Sequence, residues 1–430
     1  MLPWLDTRDP DFAANLDAFV ARTRGEDSSV REDVTQIIES VRSDGDNALI
    51  DLTLKFDRLQ LTPSIIGLPR SEWASYSESC DPTIRTALHK AADRIQIFHS
   101  LQKPEDIIHR DTQGLEMGLS WKPVNSVGLY VPGGRASYPS SVLMNAIPAR
   151  IAKVERLAMC VPCPDGHINP LVVAAAELAG VDEIWRIGGA QAIAALAYGT
   201  KTIKAVNKIV GPGNAWVAEA KRQLTGQVGI DMIAGPSEIV VLAHSDIDPS
   251  WVAIDLLSQA EHDPLAQAIL ITDDPDYAQS VVAAIDSWLP KLATERVARQ
   301  SWENHGAVIL VEKEDQAISI INALAPEHLA LMVPNARELL PRIANAGAIF
   351  LGRYTPEALG DYIAGPNHVL PTNRRSRFSS GLSVYDFVKR STWVEAGREG
   401  LHNVGPDAQS LASNEGLPAH AQSIATRLSS

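Results

Sequence analysis

Cysteine is nearly missing from the chain, with three residues (Cys80, Cys160, Cys163) among 430. That excludes a disulfide-built scaffold. Basic charge is also short: 38 Lys and Arg stand against 52 Asp and Glu, a formal net charge of −14. A nucleic-acid or anionic-membrane partner would select the opposite balance. No apolar run approaches the ~18 residues of a membrane span. The opening Met1-Leu2-Pro3-Trp4-Leu5-Asp6 lacks a basic stretch followed by an apolar one, so no secretory signal is expected. Low-complexity segments and short-period repeats are missing too. What remains is ordinary globular material, 45% apolar and 21% charged. The length allows roughly two to four domains with well-buried cores. The expectation is a cytoplasmic, enzyme-sized chain.

The first ~125 residues read mainly as helix. Ser29-Val30-Arg31-Glu32 has the form of a capping box, and Val30, Val34, Ile37, Ile38 and Val41 follow at helical spacing up to Gly45. Residues 85–102 give a second amphipathic helix through Ala87, Leu88, Ala91, Ile95 and Phe98. From Ser126 the texture changes. Short apolar runs at 127–131, 157–161, 184–187, 209–210, 239–243, 269–272, 308–311, 329–333 and 348–351 alternate with helical patterns. Runs so continuously apolar are strands buried on both faces, and the alternation is that of βαβ units. Nine strands exceed one doubly wound unit, so two α/β domains are expected. After about Ser383 the strand signal ends, and a polar helical tail follows that is too short for a core of its own.

Glycine turns follow three of these runs: Tyr130-Val131-Pro132-Gly133-Gly134, Gly188-Gly189-Ala190-Gln191 and Gly211-Pro212-Gly213-Asn214. Such turns let backbone N–H groups approach a phosphate at the carboxyl ends of parallel strands. They also simply make tight turns. The third glycine of a dinucleotide fingerprint is absent after Gly213, so no single loop establishes NAD. In Ser258-Gln259-Ala260-Glu261-His262-Asp263, Gln259 and His262 share a helix face; a zinc-like ion and a solvated polar face are both compatible with that spacing. Ala325-Pro326-Glu327-His328 sets a carboxylate beside an imidazole just before a strand, a pair suited to proton transfer. Asp361, His368, Glu415 and His420 are further candidates that nothing local connects. Cys160-Val161-Pro162-Cys163 has no second pair and reads as strand core and turn.

Together these segments resemble the histidinol dehydrogenase family. The matching text is SVGLYVPGG, GGAQAIAALAYGT, KIVGPGN, VGIDMIAGPSE, LLSQAEHDP, APEHLAL, GDYIAGPNHVLPT and RFSSGLSV, with RDPDF, VRSDGD and AADRIQIFHSLQKP before them and EGLPAHAQS after. The likeness runs through essentially the whole chain, in order.

The resemblance implies an α/β fold of two Rossmann-like parallel-sheet domains with helical N-terminal and C-terminal extensions, assembled as an intertwined homodimer. The expected units are 1–24 (helical extension), 25–128 with 237–382 (first domain, metal and substrate side), 129–236 (second domain, NAD side) and 383–430 (tail reaching the partner subunit). It implies one zinc per subunit on Gln259, His262, Asp361 and His420, and acid/base work by Glu327 and His328. Substrate contacts map to Ser237, His368 and Glu415 together with His328 and the zinc ligands, and NAD contacts to Tyr130, Gln191 and Asn214. His420 and Glu415 would act in trans. The implied reaction is NAD-dependent oxidation of L-histidinol to L-histidine through bound L-histidinal. Two departures bear on the substrate. Many family members run Gly-Gly-Thr-Ala-Arg where this chain has Asn373-Arg374-Arg375-Ser376-Arg377, and the segment with Tyr385 and Trp393 differs from the commonest text. Another small polar alcohol, such as a sulfonated diol, is the alternative.

Overall fold

The computed structural model describes residues 2–22, 29–133 and 138–429. The Ser29 side chain of the expected capping box, and Gly134 of the first glycine turn, lie outside the described residues. Two parallel sheets dominate. In the five-stranded one the order is Glu183–Trp185, Arg156–Cys160, Ser126–Tyr130, Lys208–Val210, Gly229–Ile230. Its central strand Ser126–Tyr130 is buried along its whole length. Val127 and Leu129 enter one core with the helices Pro139–Ile151 and Pro170–Leu178. Tyr130 enters the other, with Gly189–Tyr198 and Ala215–Leu224. The period-two alternation of a strand thus feeds two helical layers.

The six-stranded sheet runs Trp4–Asp6, Ala307–Leu310, Gln267–Thr272, Glu238–Ala243, His328–Met332, Ala348–Leu351, again all parallel. Ile239, Val241 and Ala243 face a core with the helices Pro249–Ala260 and Pro275–Trp288, while Val240 and Leu242 face one with Glu314–Leu324. Each of the nine apolar runs coincides with a strand of one of these sheets to within two residues.

Three local expectations are corrected. Residues 4–6 form an edge strand rather than part of a helical extension, because the backbone of Pro3 and Thr7 continues the pairing to Val308 and Leu310. The helices between 29 and 100 pack chiefly on the five-stranded sheet rather than with residues 237–382; the last of them, Pro82–Ser100, also meets that segment, sharing a core with Val369 and Leu382 and donating from Arg94 Nε to the Ile363 carbonyl at 2.7 Å. Val34, Ile38 and Leu49 sit in the core against Ala158 and Ile193, and Leu88 and Ile95 in the one against Leu143 and Leu157. Their apolar stripes therefore cover the five-stranded sheet. Beyond Ser383 the chain still forms a strand, Val388–Ala396, paired antiparallel with Leu115–Pro123, which in turn pairs with Ile107–Arg110. Its many exposed polar residues hid it from a reading based on apolar runs. The helices Arg398–Asn414 and Pro418–Leu428 follow, mostly exposed, with Ala421 the one buried apolar side chain among their described residues.

Candidate active site

A cavity of about 730 Å³ opens between the two sheets, at the carboxyl end of Lys208–Val210 and beside the first residues of Glu238–Ala243 and His328–Met332. Asn214, Ser237, Gln259, His262, Glu327, His328, Asp361 and His368 all lie on its wall. Residues separated by as much as 154 positions are thus brought to one place (214 to 368).

Each arrives through simple local chemistry. Asp248 caps the helix Pro249–Ala260, its side chain accepting from the Ser250 N–H at 2.8 Å, and Pro249 fills the first turn. The helix ends at Ala260, so Gln259 belongs to its last turn and His262 to the turn beyond, whose N–H donates to the Gln259 carbonyl at 3.3 Å. Asn214 caps Ala215–Leu224 through its side-chain oxygen, 3.1 Å from the Val217 N–H. Ala325, left-handed at φ 47°, stops the helix Glu314–Leu324 and turns the chain into Pro326-Glu327-His328.

The Glu327-His328 pair is locked to the neighbouring strand. The Glu238 N–H donates to Glu327 Oε2 at 3.0 Å, and His328 Nδ1 lies 3.1 Å from the Glu238 carbonyl oxygen. A carbonyl oxygen only accepts, so Nδ1 carries the proton and Nε2 is left as the basic nitrogen. His328 Nε2 is buried without a hydrogen-bond partner. Burial pushes the His328 imidazole down to about 4, against the opposing pull of Asp361, so it is neutral and able to accept a proton at pH 7. Burial drives the Glu327 carboxyl well above its ordinary range, and Glu238 beside it adds to the effect. His368 is held by Ser141 Oγ on Nε2 (3.2 Å) and by the Asp361 backbone carbonyl on Nδ1 (2.8 Å).

Sequence reasoning missed Glu357. Its Oε1 lies 3.7 Å from His328 Nε2, and its Oε2 accepts from Ser258 Oγ at 3.2 Å. Burial, and then Asp361, push the Glu357 carboxyl up to about 9. His328, Glu357 and Asp361 each present a ligand atom within 4.8 Å of the others, a group able to hold a cation. The sequence carries only a partial signal: Glu357 and Asp361 stand four apart on one short helix, Glu357–Tyr362, and so share a face, while nothing local shows that the face is buried. Gln259 Oε1 is likewise buried with no hydrogen-bond partner, the state of a carbonyl oxygen waiting for a ligand.

Four expected residues are not on the wall. Tyr130 is buried at its strand end, its hydroxyl accepting from the Gly189 N–H at 3.0 Å. Gln191 is buried in the first turn of Gly189–Tyr198. Glu415, in the turn between the two tail helices, and His420, on Pro418–Leu428, sit exposed on their own chain. The departure at 373–377 does reach the cavity, through Asn373 and Arg375. Asn373 and Arg374 are left-handed (φ 54° and 60°), which glycine adopts without strain and Arg does not. Cys160 and Cys163 are buried thiols, and burial raises the latter to about 12.

A family model described as Histidinol dehydrogenase matches residues 20–428. The histidinol dehydrogenase of Zymomonas mobilis subsp. mobilis is 54% identical over 428 residues, covering 100% of both chains. That of Gluconobacter oxydans is 54% identical over 424 residues, covering 99% of each. Among solved structures, histidinol dehydrogenase from Elizabethkingia anophelis superposes with a TM-score of 0.95 at 34% identity, over 100% of this chain and 98% of that one.

Proposed function

The chain belongs to the histidinol dehydrogenase family, and from that premise we propose that it oxidises L-histidinol to L-histidine through L-histidinal kept in the cavity, using NAD+ and one zinc ion per subunit. The observation that carries the reading is His328 Nε2, a buried, neutral, unpartnered base on the wall of the same cavity as Glu327, Asp361 and Gln259. The orphaned Gln259 Oε1 fits a metal ligand, and zinc would be held by Gln259, His262 and Asp361 with His420 from the tail of a second copy. When bound, zinc supplies orientation and electrostatic grip on the substrate's nitrogens, and NAD+ supplies the hydride acceptor. The capped turn at Asn214 supports cofactor binding on the side of the five-stranded sheet.

The protein's own groups divide the remaining work. His328, aligned by Glu238, takes the hydroxyl proton as the alcohol becomes an aldehyde. Glu327 takes a proton from water as the aldehyde is hydrated, and can do so only once its raised carboxyl has ionised. As water adds, His328 returns its proton to the aldehyde oxygen, and it then accepts the proton of the hydrate in the second oxidation. Each oxidation removes one hydride, so one histidinol yields two NADH. Holding the aldehyde in the cavity keeps a reactive amino-aldehyde from water and from other amines. The tail exposes Glu415 and His420, and neither lines its own chain's cavity, which supports a homodimer with tails exchanged. Exchange also explains why so polar a segment is retained without a core.

A second reading, a sulfonated diol as substrate, draws on Arg375 at the cavity wall, whose Nη1 donates to the Ile233 carbonyl. Initial rates of NADH formation with histidinol, a dihydroxypropane sulfonate and no added alcohol separate the readings. Histidinol should be turned over, and His328→Ala should lower that rate ~10²–10⁴-fold while histidinol binding persists. Preference for the sulfonate, or near-normal turnover in His328→Ala, would contradict the proposal.

A further inference from the structure

One buried ion pair on the cavity wall is unused by this chemistry. Lys221, on the second turn of Ala215–Leu224, has its ammonium 2.7 Å from Asp231 Oδ1, and both side chains are almost wholly buried. The same ammonium donates to the Gly211 carbonyl at 2.5 Å, and Asp231 Oδ2 accepts from the Gly211 N–H at 2.8 Å. Both polar groups of one glycine are therefore held by the two members of one pair. Gly211 has little freedom to drift: it sits at φ 108°, and a Cβ there would lie 2.1 Å from the Tyr130 carbonyl oxygen. Downstream of it, Pro212, Gly213 and Asn214 form cavity wall.

We propose that Lys221 and Asp231 are positioning residues that clamp Gly211 and so hold the 211–214 turn in the shape that receives the dinucleotide. The inference rests on the cofactor reading above. The substrate side of the cavity has anchors of its own: the Gly235 N–H donates to Thr372 Oγ1 at 2.6 Å, and the Asn373 N–H to Glu238 Oε1 at 3.1 Å. Loss of the clamp should therefore loosen the cofactor turn and leave the substrate wall in place.

The test uses the full-length, zinc-loaded protein and calorimetric titration with NAD+ and, separately, with histidinol. In Lys221→Met/Asp231→Leu the buried charges leave together. Replacing such a pair by apolar groups of similar volume is often neutral for folding, whereas removing one partner strands the other. The double variant should keep the wild-type melting temperature and histidinol affinity, and bind NAD+ about tenfold more weakly. Asp231→Asn strands the Lys221 charge and should melt at a lower temperature, but it keeps the side chain's shape; titrated below that temperature it should also weaken NAD+ selectively, and it carries the test if the double variant does not fold. Unchanged NAD+ affinity in a folded variant overturns the inference, as does an equal loss for NAD+ and histidinol, the mark of a merely structural pair. Failure of the wild-type protein to bind NAD+ is a different result, which overturns the cofactor reading and this inference with it.

Discussion

Asp255 gives a quantitative handle on the electrostatics behind the site. It lies on the buried face of the helix Pro249–Ala260 that carries Gln259, and its Oδ2 is buried without a hydrogen-bond partner. Burial alone pushes its carboxyl from 3.8 up to about 6. The unfolded chain ionises this group near 3.8, while the folded chain keeps the proton until about 6. The penalty therefore begins as pH rises past the lower value and is complete above the higher one. A shift of roughly two units corresponds to ~3 kcal/mol above pH 7, and to only ~0.5 kcal/mol near pH 4. Asp255→Asn removes the ionisation and keeps the shape, so it should stabilise the protein, and do so more as pH rises. With an unfolding entropy of ~2.1 cal/mol/K per residue, the gain is ~3 °C in melting temperature at pH 8 and under ~1 °C at pH 4. Thermal melts of the two proteins at both pH values decide it. A gain that is the same at both, or a loss at pH 8, would refute the reasoning: the first would mean that ionisation is not the cause, the second that the carboxylate has a partner worth more than its burial costs.

Three further expectations follow from the geometry. Glu327→Gln should slow histidinal oxidation more than histidinol oxidation. In the wild type the first rate should climb with pH as the raised Glu327 carboxyl ionises, while the second stays flat above pH ~5 because His328 titrates near 4; equal loss for the two substrates, or parallel pH profiles, would show that the roles are not divided this way. Gly360→Ala would place a Cβ 2.6 Å from the Phe350 ring, pushing away the short helix that carries Glu357 and Asp361, so zinc content by elemental analysis should fall; full occupancy would mean that the helix yields without moving its carboxylates. Mixing inactive His262→Ala with inactive His420→Ala chains should restore part of the activity, since one site of a mixed dimer combines an intact cavity with an intact tail, and verified mixed dimers without any activity would place each tail in its own subunit.

Much of the fold was legible because parallel strands buried on both faces write themselves as unbroken apolar runs. Val127 to Val131 and Ile239 to Ala243 are such runs, and each is a central strand. Strands that obey other rules were not legible: Val388–Ala396 is mostly exposed, and Trp4–Asp6 is an edge held by backbone pairing. Amphipathic patterns located the helices between 29 and 100 but say nothing of which sheet their stripes cover. At the site, Glu327-His328 and Gln259/His262 stood out because paired polar groups interrupt apolar text. Glu357 and Lys221 did not, because an acid or a base on a helix ordinarily faces water, and only the tertiary structure buries these two.

The central claim is that one cavity carries a single alcohol through two successive oxidations. With zinc-loaded enzyme, excess NAD+ and limiting L-histidinol, the decisive measurement is the yield of NADH per histidinol together with the identity of the product. Two NADH, L-histidine and no aldehyde trapped in solution are predicted. One NADH with released histidinal, or no NADH at all, would contradict the account.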